Sequence, residues 1–108
     1  MSCKILLTEF AEEDMQLIRD YFLTNEQENR IERFYAQMAK AFQRIASVPE
    51  AGSRTMELLE VGIRDCREVF SHPFRVIYHY SNNTSRIFLL ADARRDLNKL
   101  IKKRFLML

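Results

Sequence analysis

Three β-prone runs stand almost end to end in the second half of this chain: Arg67–Ser71 (REVFS), Phe74–Tyr80 (FRVIYHY) and Arg86–Ala91 (RIFLLA). Only His72–Pro73 and the turn-like stretch SNNTS separate them. Runs joined so briefly make an antiparallel meander. In the middle run, alternation sets Phe74, Val76, Tyr78 and Tyr80 on one face of the sheet and Arg75, Ile77 and His79 on the other.

What precedes the meander has a different period. KILL (Lys4–Leu7) reads as a short strand, and Thr8 after it is a good helix N-cap. Ala11, Met15, Ile18 and Phe22 recur at helical spacing, and acidic residues crowd the first turn, where the helix dipole favours them. A second helix is expected from about Glu28 to Ser47, with Ile31, Tyr35, Met38, Phe42 and Ile45 as its apolar stripe and Pro49 and Gly52 ending it. The two helices should form an antiparallel hairpin. From Asp92, read as an N-cap, the chain returns to a basic amphipathic helix. Leu97, Ile101 and Phe105 line one side of it, and Arg95, Lys99, Lys102 and Lys103 lie mostly away. The order is β-α-α-β-β-β-α, an α+β layer with a helical hairpin packed on a small, mainly antiparallel sheet.

The 108 residues are enough for one core, so a single domain over residues 1–108 is expected. No apolar run approaches the roughly 18 residues that span a bilayer, and acidic residues follow the N-terminus too closely for a signal peptide. The expected location is the cytoplasm, with no membrane partner. Cys3 and Cys66 are too few and too far apart for a disulfide framework, no Cys/His cluster has zinc spacing, and both read as buried free thiols. No metal and no cofactor is implied.

The net charge of +2 conceals an asymmetry. Residues 1–60 hold seven Lys/Arg against eleven Asp/Glu, and residues 61–108 hold ten against four. The basic half suits an anionic partner, and equally an ordinary solvated face.

The element order, with VPEAGSR, GIRDCREVFSHPFRVIYHY and IFLLADARRDLNKLIKKRF, resembles the RelE/ParE superfamily of type II toxin–antitoxin toxins over nearly the whole chain. Ala11, Ile18, Pro49, Gly52, Gly62, Arg64, the aromatic–Arg–x–x–Tyr of Phe74–Tyr78, and Arg94–Arg95–Asp96–Leu97 carry the resemblance. It implies a toxin neutralised by a cognate antitoxin, with one of two chemistries: RelE-like members cut mRNA in the ribosome, and ParE-like members poison DNA gyrase.

Cutting RNA through its 2′-hydroxyl requires a base, an acid and cations for the phosphate. RelE-like enzymes resemble that recipe. They carry two lysines on the second strand, an arginine after the aromatic on the third, an arginine ending the last strand, and a tyrosine in or near the C-terminal helix. Arg75 and Arg95 match here, whereas the lysine positions fall at about Cys66 and Glu68 and the tyrosine position at about Ile101. Arginines without an acid and base resemble the ParE branch, a gyrase inhibitor in a plasmid-stabilisation module.

On that reading the target-binding residues are Arg75, Arg94 and Arg95, with Arg64 and Arg67 behind them, and Asp96 holds one of the adjacent arginines. Arg64 and Arg67 suit an anion contact, or pairing with Asp65, Glu68 or an acidic antitoxin segment. The ribonuclease alternative gives catalysis to Arg75, His79 and Arg95. A third reading is a detoxified module that only binds antitoxin. His79 otherwise reads as a half-buried sheet residue and His72 as a turn residue. The antitoxin would lie across the hairpin and sheet, with Tyr21, Phe22 and the tail FLML as surface to be covered. The assembly would be a homodimer or a toxin–antitoxin hetero-oligomer.

Overall fold

The computed structural model describes residues 2–106, with side chains to residue 104. Its elements are β1 (Lys4–Leu7), α1 (Glu9–Thr24), a 3-10 turn (Glu28–Arg30), α2 (Ile31–Ser47), β2 (Ser53–Arg54) and α3 (Met56–Glu60). Then follow β3 (Cys66–Ser71), β4 (Phe74–Ser81), β5 (Thr84–Asp92), α4 (Leu97–Ile101) and a π-helical turn (Lys102–Leu106). The sheet order is β1-β5-β4-β3-β2, with β1 parallel to β5 and every other pair antiparallel. The α+β architecture and the meander are as the sequence predicts. Two elements are additions: the two-residue strand β2 and the short helix α3.

Local chemistry explains the boundaries. The Thr8 hydroxyl accepts from the Ala11 amide, capping α1, and donates to the Ile87 carbonyl at 2.7 Å, which ties the cap to β5. The β4–β5 turn puts Asn82 and Asn83 at φ 50° and 57°, a conformation asparagine tolerates better than most residues. Asp92 does not cap the last helix. It ends β5, and Asp96 is the N-cap, accepting from the Lys99 amide at 3.4 Å.

The sheet separates two apolar clusters. On the hairpin side Phe22, Phe34, Met38, Ile45, Phe74, Val76 and Tyr78 form the larger one; on the other, Leu58, Ile77, Leu89, Leu97 and Ile101 bury α3 and α4. The alternation expected of β4 holds. The stripe of α2 is rotated from the expected one, because Phe34, not Tyr35, enters the core. Phe34 sits edge-on to Phe22 and Phe74 at 6.1 and 5.1 Å, whereas Tyr35 is 41% exposed. Its hydroxyl keeps its water there, a lower cost than burial without a partner. Cys3 and Cys66 are buried free thiols, as expected. The Phe105 side chain and the cover role expected of FLML lie outside the described side chains.

β1 reaches only as far as Ile87 along β5, and Phe88 is the extra residue of a bulge that shifts the β4–β5 register between Ile77 and Tyr78. Past that point side chains close the β5 edge. The Asp14 carboxylate, 1% exposed, accepts from the Leu90 amide at 2.9 Å and from both terminal nitrogens of Arg104, whose Nη1 also donates to the Phe88 carbonyl at 3.3 Å. The Arg104 guanidinium lies over the Phe10 ring.

Removing one member of a buried ion pair strands the other. Arg104→Ala is expected to cost about 3–5 kcal/mol. The pair Asp14→Ala with Arg104→Ala should cost less than the two single changes summed, which urea unfolding of the four proteins measures.

Candidate functional site

Several residues that carry the family resemblance meet at one structural knot. The Tyr78 hydroxyl donates to the Pro49 carbonyl at 2.7 Å, and Arg67 Nη1 donates to the Gly52 carbonyl at 2.9 Å. A Cβ on Gly52 would stand 2.4 Å from the Tyr78 oxygen, so only glycine lets the loop pass. Burial raises the Tyr78 phenol above its ordinary value, keeping it a donor. Arg67 is thus a loop fastener. Gly62, at φ 86°, ends α3, and Arg64 in the following turn is exposed.

Arg75 lies on the α3 side of the sheet, and its guanidinium is already occupied. Nε and Nη2 donate to Glu68 at 2.9 and 2.7 Å, and Nη1 and Nη2 donate to Glu57 of α3 at 2.7 and 2.8 Å. These bonds hold Arg75 further above its ordinary range, and the Arg75 hydrogen bond lowers the Glu57 carboxyl. Two carboxylates on one guanidinium leave a net negative charge. Arg75 therefore clamps α3 to the sheet and presents no cation to a phosphate.

His79 shares that face, as alternation predicts, and its Nε2 is 3.2 Å from the Asp65 carboxylate. It is half-buried, while His72 is an exposed turn residue edge-on to Phe70. At the other positions that the sequence resemblance compares with proton-transfer groups, the side chains are closed to that work. Cys66 is buried and its thiol is pushed up to about 11 by burial, Glu68 is held by Arg75, and Ile101 is core. Among the described residues no cluster of His, Cys, Asp or Glu could hold a metal ion.

Arg94 and Arg95 stand elsewhere. Asp92, not Asp96, holds Arg94: its carboxylate accepts from the Arg94 amide at 2.9 Å and from Nε and Nη2 at 3.0 Å each. The Arg94 hydrogen bond keeps the Asp92 carboxyl below its ordinary range. Arg95 is exposed and pairs with no carboxylate among the described residues. Both line a cleft of about 760 Å³ between the hairpin and the ends of β4 and β5.

Phe22, Phe34, Phe74 and Leu90 help to wall that cleft, and Arg30, Arg33 and His72 join the two arginines in lining it. Tyr21, which the sequence singles out, lines it too and is exposed, while Phe22 is buried in the core. Arg30 and Arg33 were not legible as site residues, since only the hairpin brings them into the cleft that Arg95 also lines. Arg75 and Arg95 do not converge, because they belong to different faces.

The model of the ParE toxin of type II toxin–antitoxin systems, parDE, matches residues 5–97. The chain belongs to the ParE toxin family. This ParE-type toxin also resembles in fold a chain in the crystal structure of the toxin–antitoxin complex RelBE2 from Mycobacterium tuberculosis. The TM-score is 0.60 and the identity 14%, covering 85% of this chain and 99% of that one. At that identity the likeness is one of fold. Among curated proteins none matches this sequence. Among the described residues, no helix of this ParE-type toxin is long and apolar enough to cross a membrane.

The Glu57–Arg75 pair makes stability depend on pH with a definite sign. Glu57 has a lowered folded value against an ordinary 4.5, so its contribution is full above about pH 4.5 and is lost as pH falls through the folded value. Glu57→Gln should cost about 1–2 kcal/mol at pH 7, the low end for a charged hydrogen bond because the pair is partly exposed. The cost should shrink steadily as pH is lowered below about 4.5, as urea unfolding over a pH series reads. Gly52→Ala should destabilise strongly, and less so in a Tyr78→Phe background that removes the clashing oxygen.

Proposed function

We propose that this ParE-type toxin inhibits DNA gyrase, stabilising or provoking its cleaved-DNA complex, and acts as a single domain in the cytoplasm as part of a plasmid-stabilisation module. One observation carries the reading: the positions that supply acid and base in RNA-cutting relatives hold a buried protonated thiol, a carboxylate locked to Arg75, and a core isoleucine. Arginines whose matched acid and base positions hold no proton-transfer group fit binding better than phosphodiester cleavage.

Arg95 leads the target-binding surface, with Arg94 beside it and Arg30 and Arg33 across the cleft. Arg64, exposed and outside every ion pair among the described residues, is a second contact. Arg67 and Arg75 contribute by holding loop and α3 in place. The cognate antitoxin neutralises the toxin by occupying the same cleft, where the apolar wall and cationic rim favour an amphipathic acidic segment.

A ribosome-dependent nuclease remains the second reading because His79 has an oriented carboxylate partner in Asp65. Purified toxin is expected to accumulate linear cleaved DNA with gyrase. Arg94→Ala/Arg95→Ala should abolish that effect while melting within a few degrees of the parent. Unchanged supercoiling and cleavage at stoichiometric excess would defeat the gyrase reading. Cutting of translating message that is lost in His79→Ala would install the nuclease instead.

A further inference from the structure

The cleft between the hairpin and the ends of β4 and β5 gathers charge from three separate parts of the chain. Arg30 comes from the 3-10 turn, Arg33 from α2, and Arg94 and Arg95 from the segment after β5. Two carboxylates line the same space and both are spent, Asp14 on Arg104 and Asp92 on Arg94. Arg30, Arg33 and Arg95 are exposed, and none of them pairs with a carboxylate among the described residues. Uncancelled positive charges sharing one concavity favour an anionic occupant.

The cleft also offers ring surface. Tyr21 of α1 lines it and is 59% exposed, with its ring braced edge-on by Phe22 at 6.0 Å between centroids. The Arg30 guanidinium lies over that Phe22 ring at 5.8 Å, which holds the cation against the apolar wall. A tyrosine ring kept largely in water at the mouth of a cationic cleft is a platform on which a flat partner can stack.

Charge and rings together select among anions. A free phosphate uses the arginines and leaves the ring idle. Duplex DNA presents phosphates but keeps its base faces stacked inside, beyond the reach of a concave wall. An unpaired nucleotide uses both, because its phosphates meet cations while its base stacks on an aromatic ring, as in proteins that hold single strands. The cleft, at about 760 Å³, has the size of a small-molecule site and room for a nucleotide. We propose that it holds an unpaired nucleotide of a DNA strand, the base stacked on Tyr21 and the flanking phosphates met by Arg30, Arg33 and Arg95.

This assignment rests on the gyrase reading and supplies the differential affinity that reading needs. A binding protein shifts an equilibrium only by its difference in affinity for the two states. Bases at a break leave the stack at lower cost than bases within an intact duplex. A toxin that grips an unpaired nucleotide therefore binds the cleaved complex in preference to the resealed one, and cleaved DNA accumulates.

The test uses the whole toxin without gyrase, by fluorescence anisotropy of a labelled oligothymidylate strand and of the same strand annealed to its complement. The single strand should bind at least about tenfold more tightly than the duplex. Its log K should fall with log salt at a slope of about −2, as expected for three phosphates, and Arg33→Ala/Arg95→Ala should flatten that slope to about −1 or less. Tyr21→Ala should weaken the single strand about fivefold or more and leave the duplex unchanged, whereas Tyr21→Phe, which keeps the ring, should bind like the parent. The cognate antitoxin, which takes the same cleft, should displace the strand. The comparison of strand with duplex is made on the unmodified chain and so decides the matter even where a variant folds poorly.

Equal affinity for strand and duplex, or a strand that stays bound beside the antitoxin, would overturn the cleft as a nucleotide site. An oligouridylate strand bound markedly more tightly than the DNA would assign the cleft to RNA and overturn the proposed occupant. No strand binding, alongside cleaved DNA that still accumulates with gyrase, would overturn this site and leave the gyrase reading standing. Strand binding by a toxin that leaves gyrase unaffected would sink that reading while the nucleotide site stands.

Discussion

The buried pair of Asp14 and Arg104 is the contact on which the rest of the arrangement depends. β1 is too short to cover β5, and backbone amides and carbonyls left inside a protein without partners are costly. Asp14 supplies an acceptor for the Leu90 amide, and Arg104 supplies a donor for the Phe88 carbonyl. One ion pair thus fixes the first helix, the bulged end of the last strand and the C-terminal turn relative to each other. The cleft walls follow from it, since Asp14, Leu17 and Tyr21 of α1 and Leu90 and Asp92 of β5 all line that cleft.

The residues that carry the family resemblance divide into those that fasten the fold and those left exposed at its surface. Pro49, Gly52, Tyr78 and Arg67 are recognisable because a hydroxyl, a carbonyl and a glycine without a Cβ must meet in a small space. Arg75 belongs with them, for its donors are spent on Glu57 and Glu68. Arg95, beside the engaged Arg94, keeps its charge available. Adjacent arginines with the same charge therefore have different duties, decided by which of them Asp92 can reach.

Much of the fold was legible in the sequence because period and punctuation agree there. Alternation in FRVIYHY, the asparagine turn and the Thr8 cap are local signals, and each element formed as those signals require. MELLE is too short for a helical period to declare itself, and a two-residue strand has no pattern at all. Phe34 and Tyr35 are neighbours with similar apolar content, so the choice between them fell to the rings of Phe22 and Phe74, which sequence spacing does not reveal.

The candidate site was less legible for the same reason, since its chemistry depends on pairs distant in sequence. Arg75 reads as a free cation until α3 brings Glu57 to it. Asp92 looks like a cap until its carboxylate closes on Arg94, which leaves capping to Asp96. Arg30 and Arg33 look like ordinary solvated helix charges until the hairpin brings them to the cleft that Arg95 also lines.

The brevity of β2 has a consequence for the protein as a substance. A strand edge with a half-exposed phenylalanine is a template for any extended chain, including another copy of the same one, and among the described residues no long strand covers it to blunt that edge. Kept without a partner, the toxin is therefore expected to self-associate more readily as its concentration rises.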